Sequence, residues 1–243
     1  MPVESSQSMI RLVGLSATLP NYVDVARFLC VNPQRGLFYF DARFRPVPLG
    51  MTFIGVLGTR RQAEANMNLV CYDQVVKQVK NGEQVMVFVH ARGDTYRTAR
   101  WLRDMANQRT EQHSFRPSSS AAYMNAMKRV SRSSDRVLNE LASDGFACHH
   151  AGMLRADRTL VEHLFAQGHV RVLCCTATLA WGVNLPAHCV IIKGTRVYNA
   201  EKADFVDLDI LDVLQVLTRH FKTFFILSKL VKQVYFRGVR SRP

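Results

Sequence analysis

Short apolar runs alternate with amphipathic stretches along most of the chain. The run at 85–89 is typical of a strand buried on both faces of a parallel sheet. Similar runs predict further strands at 10–15, 37–40, 51–56, 145–148, 170–175 and 189–193. Helical spacing predicts helices at 21–30 (with Asn21 as cap), 63–80, 95–108, 121–130, 136–141 and 155–166. Strands separated by helices indicate an α/β fold with a mostly parallel sheet flanked by helices.

Two segments depart from this alternation. Residues 41–48 include Pro46 and Pro48, which forbid a continuous helix and favour an extended connector, so we place a domain boundary there. From Val216 onward, aromatic and apolar residues recur at roughly helical spacing among many basic ones. We interpret this tail as a packed basic helix, with a helix on a nucleic-acid or membrane surface as the alternative.

Composition is that of a globular protein with an excess of positive charge. The chain has 243 residues, of which 48% are hydrophobic and 21% charged, and its apolar runs are too short for a membrane span. The first residues do not resemble a signal peptide. The net charge of +13 favours polyanionic partners, although solvated basic faces would give the same count. Charge alone does not separate DNA from RNA or from an acidic membrane.

The cysteines and histidines suggest metal sites only superficially. The 6 cysteines show no CxxC pair and lie mostly in apolar segments, which indicates free thiols in a reducing compartment, without disulfides or zinc. His149 and His150 are adjacent at the end of a predicted strand, so their side chains should point to opposite sides and not chelate one ion. We expect a contact at a domain or nucleic-acid surface, with structural hydrogen bonding as the close alternative.

Three loops follow predicted strands directly and carry the candidate chemistry. Ser16, Ala17 and Thr18 offer small hydroxyl groups, although a simple turn or helix cap is the alternative. Arg92 emerges just past the strand at 85–89, where its guanidinium group could bind a phosphate or merely face solvent. The third loop, 176–187, has the most specific pattern.

This third loop combines hydroxyls, a glycine and an amide. Thr176 and Thr178 leave the strand, Gly182 permits close backbone approach, and Asn184 supplies a donor and an acceptor. These groups are suited to holding a phosphate chain without reading its sequence.

The motifs at 14–22, 44–49, 149–153 and 176–187 resemble those of superfamily 2 DExH helicases. The resemblance runs from about residue 3 to 215, in the branch that contains the spliceosomal tandem-cassette helicase and the cointegrator-complex helicase subunit. It implies a RecA-like fold, with the C-terminal remnant of a first RecA-like domain at 1–48. A second RecA-like domain would occupy 49–215 and a divergent basic tail 216–243.

The resemblance also implies roles for individual residues. Motif III, which couples ATP hydrolysis to strand movement, would comprise Ser16, Ala17 and Thr18. Nucleic-acid contacts would come from Arg92, His150, Gly152, Thr176 and Thr178, and the nucleotide would face Gly182 and Asn184. Arg219 aligns with the first arginine of motif VI, and 195–208 corresponds to the strand-separating hairpin.

Departures from the family pattern limit what the chain is expected to do alone. The sequence contains no GxxxxGK[ST] loop and no DExH motif, and bulky residues replace the glycines of motif VI after Gln215. We therefore predict part of an ATP-dependent 3′-to-5′ helicase without measurable ATPase activity by itself. ATP and Mg²⁺ serve the complete family and are not expected to bind this chain well.

The expected partners are single-stranded DNA or RNA and other subunits of a cointegrator-type complex, with no membrane, in the nucleus or cytoplasm. Two alternatives remain at this point: a non-catalytic binding module, or an incomplete gene product without a stable fold. If residues 1–48 lack their sheet neighbours, they should leave a strand edge and an apolar face exposed.

Overall fold

The computed structural model describes residues 11–16, 19, 21–44, 49–176, 185, 187–199, 202–208 and 223–229. The strands are β1 (Gly50–Val56), β2 (Val85–Phe88), β3 (Phe146–His149), β4 (Val172–Cys175), β5 (Cys189–Lys193), β6 (Arg196–Asn199), β7 (Asp204–Asp207) and β8 (Thr223–Lys229). The α-helices are α1 (Tyr22–Phe28), α2 (Arg60–Lys80), α3 (Arg92–Gln108), α4 (Gln112–Phe115), α5 (Ala121–Val130), α6 (Arg136–Leu141) and α7 (Arg155–Ala166). Short 3₁₀ helices span Ala42–Phe44 and Ala142–Asp144.

Six parallel strands form the central sheet in the order β1-β8-β5-β2-β4-β3. In the middle of the sheet, Val87 lies opposite Cys174 on one side and Ile191 on the other. Helices cover both faces, which confirms the predicted α/β fold.

The two faces of the sheet bury separate apolar clusters. Met86 and Phe88 of β2 pack in one cluster with residues of α5 and α7. Val85 and Val87 pack in the other with residues of α2 and α3. Because successive side chains of a strand point to opposite faces, a strand covered on both sides needs an unbroken apolar run. This is the physical origin of the pattern in the sequence.

Two helices begin earlier than their apolar spacing predicts. Thr59 and Gln62 form a reciprocal capping box, so α2 starts at Arg60 and not at 63. Helix α3 starts at Arg92, directly after β2, and not at 95. This second shift matters for function because it places Arg92 in the first turn of a helix at the edge of the sheet.

Two predicted strands near the start of the chain are wrong. The described residues 11–16 and 37–40 form no strand, and most of their large apolar side chains are exposed. Exposure reaches 93% at Leu15 and 72% at Phe38, and Phe28 on α1 is 85% exposed. Exposed apolar side chains are therefore present among the described residues 11–44, whereas the expected strand edge is not found there. Asn21 precedes α1 without a side-chain cap bond.

The predicted helix in the tail is wrong for residues 223–229. These residues form β8, which lies between β1 and β5, with Thr223 opposite both Gly50 and Cys189. Phe225 and Leu227 face one apolar cluster and Ile226 the other. Successive side chains of this segment thus alternate between the two faces of the sheet, as in any strand, and both faces are buried. Residues 216–222 and 230–243 lie outside the described part of the chain.

The hairpin implied at 195–208 is present. Strands β6 and β7 pair antiparallel, with Val197 opposite Val206, and the Leu208 N–H donates to the Thr195 carbonyl at 2.7 Å to close the base. The short helix α4 lies between α3 and α5. Among the described residues, no helix is long and apolar enough to cross a membrane.

Candidate nucleic-acid interface

The candidate residues leave neighbouring strands at one edge of the sheet. Strands β2, β4 and β3 are adjacent and parallel, so their carboxyl ends meet. Backbone bonds continue past the strands: the Val89 N–H donates to Cys175 O at 2.9 Å, and the Thr176 N–H donates to His149 O at 3.2 Å. Ligands of parallel α/β sheets gather at this edge, in the crevice outside the carboxyl ends of the strands.

Arg92, His150 and Gly152 lie in direct contact at this edge. The Gly152 N–H donates to Nδ1 of His150 at 3.1 Å. A Cβ atom at position 152 would lie 3.2 Å from Nη1 and 3.3 Å from Cδ of Arg92, tighter than an ordinary contact. The missing side chain of Gly152 thus lets the Arg92 guanidinium lie against the loop. Within the described part of the chain, exposed Arg92 forms no ion pair.

The hydrogen bonds of His150 define its tautomer. Because Nδ1 accepts from Gly152, the hydrogen of the neutral ring must be on Nε2. Nε2 lies 2.5 Å from the hydroxyl oxygen of Tyr96, which therefore accepts this hydrogen. Burial lowers the pKa of His150, and the charge of Arg92 lowers it further. His150 thus holds the loop through both ring nitrogens, and its burial disfavours the cationic form.

His149 points away from His150, as predicted for adjacent residues at a strand end. Its Nε2 lies 2.8 Å from Oε1 of Glu162 on α7, whereas His150 contacts α3. Burial lowers the pKa of His149, although Glu162 opposes this shift. The two imidazoles therefore serve different helices. In the described ranges, no three His, Cys, Asp or Glu side chains gather in a way that could hold a metal ion.

Thr176 is buried at the end of β4, beside His149. The structure thus brings Arg92, His150, Gly152 and Thr176 to a single edge of the sheet. Ser16 is exposed on the segment 11–16. The remaining predicted site residues lie outside the described part of the chain: Ala17, Thr18, Thr178, Gly182, Asn184 and Arg219.

Two contacts of the site were missed by sequence reasoning. Tyr96 lies four residues after Arg92, and this spacing puts both side chains on one face of a helix. The signal was therefore present, but the helix was predicted to begin too late at 95. Glu162 lies on α7, and no local pattern connects it with His149.

The segments around the loop are basic. Asp135, which caps α6, affects the pKa values of both His150 and Tyr96, so the start of α6 lies close to the site. Arg132 and Arg136 flank this carboxylate, and Arg155 begins α7 just after the loop. All three arginines are exposed and, among the described residues, without an ion-pair partner. A surplus of unpaired guanidinium groups attracts polyanions.

Comparison with known proteins agrees with this geometry. Residues 116–206 match the model of the helicase conserved C-terminal domain. The chain contains a helicase C-terminal domain. The matched range includes His150, Gly152 and Thr176, whereas Arg92 precedes it. The parallel sheet flanked by helices is the RecA-like fold that the resemblance implied.

Several known proteins are similar to this chain over most of its length. The mouse (Mus musculus) protein "Activating signal cointegrator 1 complex subunit 3" is 60% identical over 89% of this chain and 10% of its own length. The Saccharomyces cerevisiae "RQC trigger complex helicase SLH1" is 50% identical over 89% of this chain and 11% of its own length. The Arabidopsis thaliana "DExH-box ATP-dependent RNA helicase DExH14" is 50% identical over 89% of this chain and 10% of its own length. The chain thus spans about a tenth of the length of these relatives.

Proposed function

We propose that this helicase C-terminal domain grips the phosphodiester backbone of a single nucleic-acid strand, within an ATP-dependent helicase that translocates 3′ to 5′. The observation that carries the proposal is the contact of Arg92 with the loop at Gly152 and His150. Its guanidinium is exposed and, among the described residues, without an acidic partner, at an edge where three loops meet. Such a group can bind two phosphate oxygens at once, a contact that carries no sequence information.

The neighbouring groups support backbone binding over base recognition. Gly152 lets the Arg92 guanidinium lie against the loop, and Thr176 ends the adjacent strand. The net charge of +13 adds a long-range attraction that does not depend on sequence. We expect DNA and RNA strands to bind by the same contacts.

A binding titration with the 243-residue chain tests this proposal. We expect a labelled single strand to bind with an affinity that falls steeply with salt, since counterions are released from the strand. Arg92→Ala should weaken binding about tenfold at low salt, the scale of one charged hydrogen-bonded contact. It should also flatten, by about 0.7, the slope of the logarithm of the binding constant against the logarithm of the salt concentration.

Arg171→Ala is the matched control. Arg171 precedes β4, at the opposite edge of the sheet, where its Nη1 donates to Gly82 O at 3.1 Å. Removing this arginine takes away the same charge far from the proposed site. If both variants lose the same affinity for the strand, net charge alone explains the loss, and a localised contact at Arg92 is refuted.

The proposed contact with ATP rests on the resemblance of the sequence to DExH helicases. Gly182 and Asn184 would face ATP, whose hydrolysis supplies the free energy for strand movement in such helicases. We propose nuclear or cytoplasmic action on DNA or RNA.

A second candidate function is docking to other subunits of a cointegrator-type complex. The name of the mouse relative describes a complex subunit. The observation that favours docking is the set of exposed apolar side chains among residues 11–44, which includes Phe28 and Phe38. A purified partner subunit should bind the chain, more weakly after Phe38→Ser and unchanged after Arg92→Ala. Equal sensitivity to both changes would refute a separate docking surface.

A further inference from the structure

We propose that the phenol hydroxyl of Tyr96 donates a hydrogen bond to a backbone phosphate of the bound strand, beside Arg92. The inference rests on the proposed function and adds a contact to it. Tyr96 follows Arg92 by about one helical turn on α3, so the two side chains lie on the same face of the helix.

The direction of the Tyr96–His150 bond follows from the other nitrogen of the ring. A neutral imidazole has one N–H and one acceptor nitrogen. Since Nδ1 accepts the Gly152 N–H at 3.1 Å, Nε2 must carry the hydrogen and donate it to the Tyr96 oxygen at 2.5 Å. If the phenol donated instead, both ring nitrogens would have to be acceptors, which a neutral imidazole cannot provide.

The phenol hydrogen of Tyr96 is therefore available to another molecule. Among the described residues, no acceptor lies within hydrogen-bond distance for it. The ring is fixed edge-on to His150, with 5.0 Å between the ring centres and an angle of 87° between the ring planes. Burial raises the pKa of Tyr96, so the hydroxyl stays protonated and remains a donor at neutral pH.

Charges of both signs surround this donor: in addition to burial, the Asp135 carboxylate raises the pKa of Tyr96, whereas Arg92 lies one helical turn away on α3. Half-buried Tyr96 lies on the face of exposed Arg92, and both side chains contact His150 or the loop that it holds. A phosphate bound to the guanidinium has further oxygens that accept hydrogen bonds. A neutral donor on the same helix face as a cation thus suits a phosphodiester, which carries one charge and several acceptors.

Tyr96→Phe tests the inference because it removes only the hydroxyl. We expect the affinity of the 243-residue chain for an oligodeoxythymidine and for an oligouridine to fall about three- to tenfold, the scale of one hydrogen bond. The salt slope should not change, since no charge is removed. Tyr123→Phe is the matched control: Tyr123 is another half-buried tyrosine edge-on to a histidine, with 5.7 Å between the centres of its ring and that of His169.

A second measurement separates a direct contact from a shift of His150. A neutral methylphosphonate is placed at each position in turn of an oligodeoxythymidine trimmed to the shortest length that binds, so that the strand cannot change register, and binding is measured for the wild-type and Tyr96→Phe chains. A direct contact predicts one position whose substitution weakens the wild type but weakens Tyr96→Phe less, because the partners are coupled. The same loss at every position in both chains would overturn the proposal.

The remaining outcomes are distinct. Loss with the oligouridine alone would overturn a phosphate contact in favour of the ribose hydroxyl. Unchanged binding by Tyr96→Phe, with a wild-type chain that binds, would overturn the role of Tyr96 and leave the proposed function standing. A wild-type chain that binds neither oligonucleotide would overturn the proposed function itself.

Discussion

Replacing Gly145 by alanine should destabilise this domain severely. Gly145 joins the 3₁₀ helix at 142–144 to β3 with a φ of +88°, a left-handed conformation that alanine rarely adopts. A Cβ atom there would lie 2.9 Å from the carbonyl carbon of Phe115 and closer still to its oxygen. The obstacle is backbone, so no rotamer change of a side chain can relieve it.

The magnitude follows from what must move. A left-handed alanine costs about 1–2 kcal/mol, which the lower entropy of the unfolded chain offsets by about 0.4–1 kcal/mol. Moving the backbone of Phe115 also disturbs its side chain, which is fully buried and stacks on Phe146 with 4.9 Å between ring centres. Complete loss of such a side chain costs about 3–5 kcal/mol. We therefore expect a loss of about 3–5 kcal/mol, a large part of the stability of a typical domain.

Urea unfolding followed by circular dichroism measures this loss. Gly82→Ala is the control, since Gly82 has a similar φ of +83° but no atom within 4 Å of the place that an alanine Cβ would occupy. It should lose only about 1 kcal/mol, the conformational cost alone. If both variants unfold at the same urea concentration, the contact with Phe115 does not exist as described and the reasoning is refuted.

Three further predictions concern protons, thiols and catalysis. Burial lowers the pKa values of His90, His149 and His150 below the ordinary 6.5, so the folded chain binds fewer protons than the unfolded one as pH falls through that value. Stability to urea should thus decrease between about pH 7.5 and pH 5.5, and an unchanged midpoint would contradict this. Burial raises the pKa of Cys71 to about 12, and only Cys30 is exposed among the cysteines. Ellman's reagent should therefore titrate one thiol rapidly in the native chain and 6 in urea. The chain alone should show no ATP turnover stimulated by single strands in a coupled assay, and turnover by pure protein would overturn that prediction.

Much of the core could be predicted because its signal is local. The run at 85–89 is apolar without interruption, and its short length is typical of a strand covered on both faces. The helices at 121–130, 136–141 and 155–166 follow their apolar spacing closely. The loop residues Arg92 and Thr176 were recognisable because each comes directly after such a strand, and parallel strands bring their carboxyl ends together.

Other features were decided only by the tertiary structure. The segments at 37–40 and 223–229 are similarly rich in aromatic and apolar residues, yet the first is exposed and the second lies inside the sheet. The difference is whether backbone partners exist on both sides, and a strand cannot supply these by itself.

The site shows the same division. The sequence by itself determined which residues leave the strands at the carboxyl edge of the sheet. Tertiary structure decided that Gly152 leaves room for Arg92, that His149 bonds to Glu162, and that His150 is a neutral donor to Tyr96. These contacts join residues far apart in the chain, so their distances and hydrogen-bond directions are set by packing and not by local pattern.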